Sequence, residues 1–148
     1  MLKQRTQQRR GAYVVELAFV VMILMTIIFA IYEYSRLIFV QQMVYNAARE
    51  GARFAIVNTS DSTLVADTQA YVKTKMCGLD NMPNCNYSCQ VYQADNNGNN
   101  LGDPATAAFG EYIAVQIDYD FQPVFPSLLF WNNSIHVSSK TMMYSEAN

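Results

Sequence analysis

Residues 12–32 read AYVVELAFVVMILMTIIFAIY, a run of 21 residues that is apolar apart from Glu16 and Thr26. As a helix it would be about 31 Å long at ~1.5 Å per residue, close to the ~30 Å hydrocarbon core of a bilayer. Its centre, Leu17 to Phe29, is apolar on every side, which excludes an amphipathic surface helix. No Pro or Gly interrupts it, so nothing predicts a kink. The stretch therefore reads as a transmembrane helix. Just before it lie Lys3, Arg5, Arg9 and Arg10 with no acid, giving residues 1–11 a charge of +4. Positive flanks stay in the cytoplasm, so the leader is expected inside and everything beyond Tyr32 outside, in the periplasm or beyond.

The rest of the composition narrows the field. The 148 residues carry 10 basic and 12 acidic side chains, so the chain after the leader is acidic. Such a body lacks the basic face that a nucleic-acid binder needs against phosphate. Charged residues at 15% and aromatic residues at 13% exclude a disordered chain. An ordinary secretory signal is excluded because the apolar run enters Tyr32-Glu33-Tyr34-Ser35-Arg36 without a small-residue cleavage pattern. A plain signal anchor accounts for everything except Glu16. A carboxylate at a helix centre costs about 2.5–3.5 kcal/mol on insertion scales, less near an interface, and is tolerated when paired.

The helical pattern continues past the membrane. Leu37, Val40, Val44, Ala47, Gly51 and Phe54 recur at steps of three and four, while Arg36, Gln42, Arg49 and Arg53 fall on the other side. One helix from about Ala12 to Ile56 would exceed ~60 Å. Glu33–Arg36 and Glu50–Arg53 stand at i,i+3 and can pair along it. Ala47, Ala48, Gly51, Ala52 and Ala55 make the helix slim, so another element can approach closely, most simply a sheet of the same chain. The chain divides into a leader over 1–11, a transmembrane helix over 12–32, and an extracytoplasmic domain over 33–148 that includes the helix extension 33–56.

Beyond the helix, a second one is expected over Thr63 to Met76, ended by Gly78. Gln90 to Ala94 reads as a short strand, and Asp95 to Asn100 as a polar turn. The clearest strand is Tyr112 to Phe121, with Ile113, Val115, Ile117, Tyr119 and Phe121 on one face. Ala114, Gln116, Asp118 and Asp120 form its other, solvated face. A last strand spans Ile135 to Tyr144, with His136 on its polar side. The fold class is α+β: one long helix, one short helix and a small antiparallel sheet of about three strands. The apolar run Phe121 to Trp131 reads either as a loop under the sheet or as a contact surface for a subunit or a membrane.

Candidate chemistry is sparse. Asp95-x-Asn97-x-Asn99 imitates the start of a calcium loop, but its Gly stands fourth instead of sixth and Thr106 replaces the closing Glu. A hairpin turn is the better reading. Cys77, Cys85 and Cys89 fall in the oxidising compartment, so Cys77 is expected to pair with Cys85 or Cys89, leaving one odd thiol. Zinc would need a fourth ligand, and His136 is the only histidine. No phosphate loop and no nucleophile motif appears, so neither catalysis nor a cofactor is expected.

Three features together resemble known proteins: the basic leader, Gly11 and Glu16 separated by four residues, and the unbroken apolar helix. They resemble the class III signal of type IV pilins and pseudopilins. More narrowly, Val15-Glu16-Leu17-Ala18, Tyr32 to Arg36 and above all Asn46-Ala47-Ala48-Arg49-Glu50-Gly51-Ala52-Arg53 resemble the TadE-like proteins, pseudopilins of the tight-adherence pilus machinery. The resemblance implies a prepilin peptidase cutting between Gly11 and Ala12. It also implies that Glu16 neutralises the freed amine of a neighbouring subunit during assembly. The partners it implies are the membrane, the peptidase, other pilin or pseudopilin subunits and assembly-platform proteins, with the protein in the bacterial inner membrane. The chain departs from the pattern in lacking a proline near the middle of the membrane helix. The competing expectation is an uncleaved, single-pass anchor whose outer domain binds another envelope component.

Overall fold

The computed structural model describes residues 4–59, 63–76, 87–124 and 134–146, with residues 4–10 described by their backbone alone. Helix α1 spans Gln4–Val57 and α2 spans Leu64–Lys75; strands follow as β1 Tyr87–Ala94, β2 Asn100–Gly102, β3 Tyr112–Phe121 and β4 Ile135–Tyr144. The strands form one antiparallel sheet in the order β2-β1-β3-β4. The α+β class thus holds, but the described strands number four where about three were expected. The strand that the sequence hides is β2. It has only 3 residues, all exposed, and meets β1 through a register shift at Gln93 and Ala94. Strand β1 also begins earlier than Gln90, because its pairing with β3 runs back to Tyr87 opposite Tyr119. Helix α1 reaches back into the leader as far as Gln4, whose Gln and Arg residues are good helix formers.

Contacts divide the chain into two compact units. The first comprises residues 1–36 and 123–132. Within it, the large apolar side chains from Tyr13 to Tyr34 are exposed around the whole helix. An 18-residue window here has a mean hydropathy of 2.8 with none of it buried, so the helix is long and apolar enough to cross a membrane. Two of its hydroxyls bond back to the helix itself: Thr26 donates to the Met22 carbonyl at 2.9 Å and Ser35 to that of Ile31 at 2.8 Å. The last part of the apolar run Phe121 to Trp131, from Phe125 onward, lies outside the described residues.

The second unit comprises residues 37–122 and 133–148. Here α1 buries the expected stripe: Val40, Val44, Ala48, Ala52 and Ala55 are fully enclosed, with Leu37 and Ala47 nearly so. Facing them are Leu64, Val72 and Met76 at and beside α2, then Ile113, Val115, Ile117 and Phe121 of β3. Gly51 sets the spacing. A Cβ there would lie 2.5 Å from Val72 Cγ2 and 3.4 Å from Val115 Cγ1, so α2 and β3 both approach a bare backbone. The close neighbour anticipated for the slim helix is therefore a helix as well as a sheet.

The other face of the sheet is less solvated than its pattern predicts. Ala114, expected toward water, is fully buried with Tyr92 and Ala94 in a second, smaller cluster. In the turn after β1, Gly98 stands at φ +79°, and a Cβ there would lie 3.0 Å from Lys140 Nζ and 3.1 Å from Met142 Sδ. The Asp95 carboxylate organises this turn, accepting from the Asn97 and Asn99 amides and from the Asn99 side chain, each at 2.8 Å. Those bonds, from Asn99 foremost, hold the Asp95 carboxyl below its usual range. The calcium-like spacing is thus a self-capped hairpin turn.

Candidate functional site

The run Asn46 to Arg53 divides by helical geometry into two faces. Ala47, Ala48, Gly51 and Ala52 point into the core, while Asn46, Arg49 and Arg53 are exposed and Glu50 is half-buried. The small residues are demanded by the approach of Val72 and Val115 to Gly51. The polar ones are left for solvent or a partner. Arg53 and Glu50 stand 4.0 Å apart, an exposed pair worth only a few tenths of a kcal/mol. Glu50 and Asn46 also line a shallow groove of about 300 Å³ with Phe39, Gln42, Met43, Ala47 and Lys75.

The residues expected at the processing and assembly site, Gly11, Ala12 and Glu16, all lie within α1 and are exposed. An added Cβ at Gly11 would meet nothing within 4 Å, so this glycine answers no packing demand, unlike Gly51. Among the described residues Glu16 makes no hydrogen bond or ion pair. It stands among outward-facing Tyr13, Val14, Val15, Leu17, Phe19 and Val20. An ionised carboxylate in that apolar setting is costly until it meets an opposite charge.

A second glutamate was expected only to pair with Arg36 along the helix, and the structure buries it. Glu33 is 2% exposed, and its Oε1 accepts from Arg36 Nη1 at 3.0 Å and from the Val124 backbone N–H at 2.8 Å. Its Oε2 is buried with no hydrogen-bond partner among the described residues. Arg36 therefore does not stand on the exposed side of the stripe as expected; it turns to a buried acid and is only 20% exposed. The i,i+3 spacing announced the ion pair, but a bond spanning 91 residues of sequence has no local signal.

The paired carboxylates of β3, expected merely to face solvent, meet the chain's one histidine. Asp120 lies directly opposite His136 in the β3–β4 register. His136 Nδ1 is 3.0 Å from Asp120 Oδ1, and its Nε2 is 3.5 Å from Asp118 Oδ1. The hydrogen bond to Asp120 foremost, and the charge of both carboxylates, raise the imidazole above its ordinary pKa. Tyr87, Ser88 and Gln116 complete the walls of an open groove there. Among the described residues no group of three or more His, Cys, Asp or Glu is placed to hold a metal ion.

Of the three disulfide candidates, Cys77 and Cys85 lie outside the described residues. Cys89 is a free, half-buried thiol on β1, and burial pushes its pKa up to about 11. Gln69 of α2 donates to the Cys89 carbonyl at 2.9 Å, binding α2 to the outer edge of β1.

The geometry defines a class: an α+β domain carried by a helix whose exposed, apolar N-terminal part can cross a membrane. Residues 11–53 match the family model of the TadE-like proteins, which bears out the resemblance drawn from the motifs in that part of the chain. No curated protein and no solved structure matches the chain. The matched residues run from the exposed Gly11 to Arg53, and so include both the membrane-length segment and the small-residue seam.

Proposed function

We propose that the chain is a structural component of tight-adherence pilus assembly, a TadE-like pseudopilin or minor pilin held in the bacterial inner membrane by a single span. The observation that carries this reading is Glu16: an acid in an exposed, apolar helix, inside the matched region, with no partner of its own among the described residues. In this reading the basic leader stays in the cytoplasm and the second unit lies outside. A prepilin peptidase removes residues 1–11, and Ala12 acquires a free ammonium. That ammonium on one subunit meets the Glu16 carboxylate of another, which removes the cost of carrying either charge in an apolar medium. The helices then leave lipid for a bundle of like helices, with apolar surface covered throughout. Other pilin-type subunits and assembly-platform proteins are the partners, and no cofactor or catalytic step is involved.

Two measurements test it. The protein purified from its native membrane should begin at Ala12, read by intact mass and N-terminal sequencing. Glu16→Ala should abolish incorporation into pili while leaving membrane insertion intact or improved. A chain still beginning at Met1 in a cell that has the peptidase would instead support an uncleaved anchor whose outer domain binds another envelope component. Unchanged incorporation of Glu16→Ala would sink the charge pairing.

A further inference from the structure

The second unit carries opposite charge on its two outer sides. Strand β3 sends Ile113, Val115, Ile117 and Phe121 into the core shared with α1, so Asp118 and Asp120 point away from that helix. On α1, Arg49 and Arg53 stand on the side turned from the buried stripe of Val44, Ala48, Ala52 and Ala55, and so away from the sheet. The imbalance extends to whole layers. Helical residues 37–57 and 64–75 hold four basic and two acidic side chains, whereas the strands and turns over 87–121 and 135–144 hold five acids and one lysine. The helix side is thus basic and the sheet side acidic. Because the two sides face opposite ways, one chain cannot bring its own pair together.

The spacing of the charges matches as well as their sign. Arg49 and Arg53 lie at i,i+4, about 6 Å apart along the helix at ~1.5 Å per residue. Asp118 and Asp120 lie at i,i+2, about 6.8 Å apart along the strand at ~3.4 Å per residue. Among the described residues Arg49 makes no hydrogen bond or ion pair, and Arg53 has only its exposed 4.0 Å contact with Glu50. In the groove, His136 takes one oxygen of each aspartate, which leaves Asp120 Oδ2 unpartnered among the described residues. One histidine against two carboxylates keeps the groove negative in either state of the ring. A guanidinium is a planar fork that fits a carboxylate with two parallel hydrogen bonds and stacks on aromatic faces, and Tyr87 walls this groove. We propose that the Arg49–Arg53 side of one copy docks in the Asp118–Asp120 groove of a second copy. The contact joins unlike faces, so a docked pair still offers one free basic and one free acidic side, and repetition builds an open chain. This contact deepens the assembly reading and rests on it, since a shared membrane is what holds the copies side by side.

Complementation between two neutral variants of the full-length chain tests it. Arg49→Gln/Arg53→Gln removes the basic side, and Asp118→Asn/Asp120→Asn removes the acidic groove with little change of shape. Copies labelled at the C-terminus with a donor or an acceptor dye are reconstituted at high dilution in phosphatidylcholine vesicles, and energy transfer is read. Parent copies should transfer energy above the level of random mixing, and about 1 M salt should reduce it. Each variant alone should associate roughly tenfold more weakly or worse. An equal mixture of the two should recover transfer, because the arginines kept by one meet the aspartates kept by the other. Transfer unchanged in either variant alone overturns the proposal and assigns association to the membrane helices. A parent without transfer overturns it, and so does a mixture that fails to recover while both variants melt like the parent. If a double variant melts differently, Arg53→Gln and Asp120→Asn, both at more exposed positions, repeat the cycle with the same expectations. The vesicles hold no peptidase, so these outcomes are independent of processing at Ala12 and of the Glu16→Ala incorporation test.

Discussion

Two stretches of one helix follow opposite rules of burial. From Tyr13 to Tyr34 the large apolar side chains of α1 face outward on every side. From Leu37 to Val57 most apolar residues collect in a buried stripe, and polar side chains share the rest of the surface with the exposed Phe39, Tyr45 and Val57. The backbone is α-helical throughout, so the difference lies wholly in what each stretch is built to touch. The second covers its stripe with α2 and β3; the first carries an apolar surface that only lipid or other helices can cover. The same contrast separates the two glycines, Gly51 under Val72 and Gly11 in open space. A residue type read without its surroundings would miss both distinctions.

The contrast can be broken most severely by placing one charge in each stretch. Val44→Asp puts an unpaired carboxylate at a fully buried position and should cost on the order of 4 kcal/mol, enough to unfold the second unit in thermal or urea melts. Val20→Asp should leave those melts unchanged and instead weaken membrane insertion by about 2.5–3.5 kcal/mol. The glycines give a smaller, sharper test. Gly51→Ala forces Val72 aside and should lose about 1–2 kcal/mol net of the better helix propensity, whereas Gly11→Ala should lose nothing in the same melt.

Thiol chemistry probes how closely the second unit is packed. With its pKa near 11, Cys89 should alkylate at pH 8 roughly a hundredfold more slowly than an ordinary thiol, and at the ordinary rate once urea unfolds the domain. Fast alkylation of the folded chain would show that β1 opens there. The smallest effect concerns pH. The folded state raises the His136 pKa, so protonation stabilises it fully below the ordinary value of 6.5, and that contribution fades as pH climbs through the raised value. Melting temperature should therefore decline slightly from pH 6 to pH 8, and His136→Ala should flatten the decline. Because the ring is largely exposed, the change should be small.

What sequence revealed and what it hid divide along a physical line. The stripe of α1 and the strands β3 and β4 were legible because each repeats a period over ten or more residues, Tyr112–Phe121 and Ile135–Tyr144 agreeing at both ends. Strand β2 was not, since 3 exposed residues after an Asn-rich turn carry no alternation. Ala114 was assigned to water by parity alone; Tyr92 and Ala94, which bury with it, come from β1. The Glu33–Val124 bond and the meeting of His136 with Asp118 and Asp120 depend on register and chain path, which no local window contains. The motif from Asn46 to Arg53 was recognisable as a string, yet only the structure explains why its inner half must be small.

That inner half has a consequence for the entropy of folding. Ala47, Ala48, Ala52 and Ala55 have no rotamers to lose, and Gly51 has no side chain to order. Opposite Gly51 stand Val72 and Val115, β-branched and already stiff at χ1. Ordering this seam therefore freezes few side-chain torsions, so most of what close contact gains there is kept. The main charge is on the backbone at Gly51, which gives up more freedom on folding than any other residue type would. A seam of this kind has few alternative packings, and it holds the second unit's α1 in a single geometry against α2 and β3.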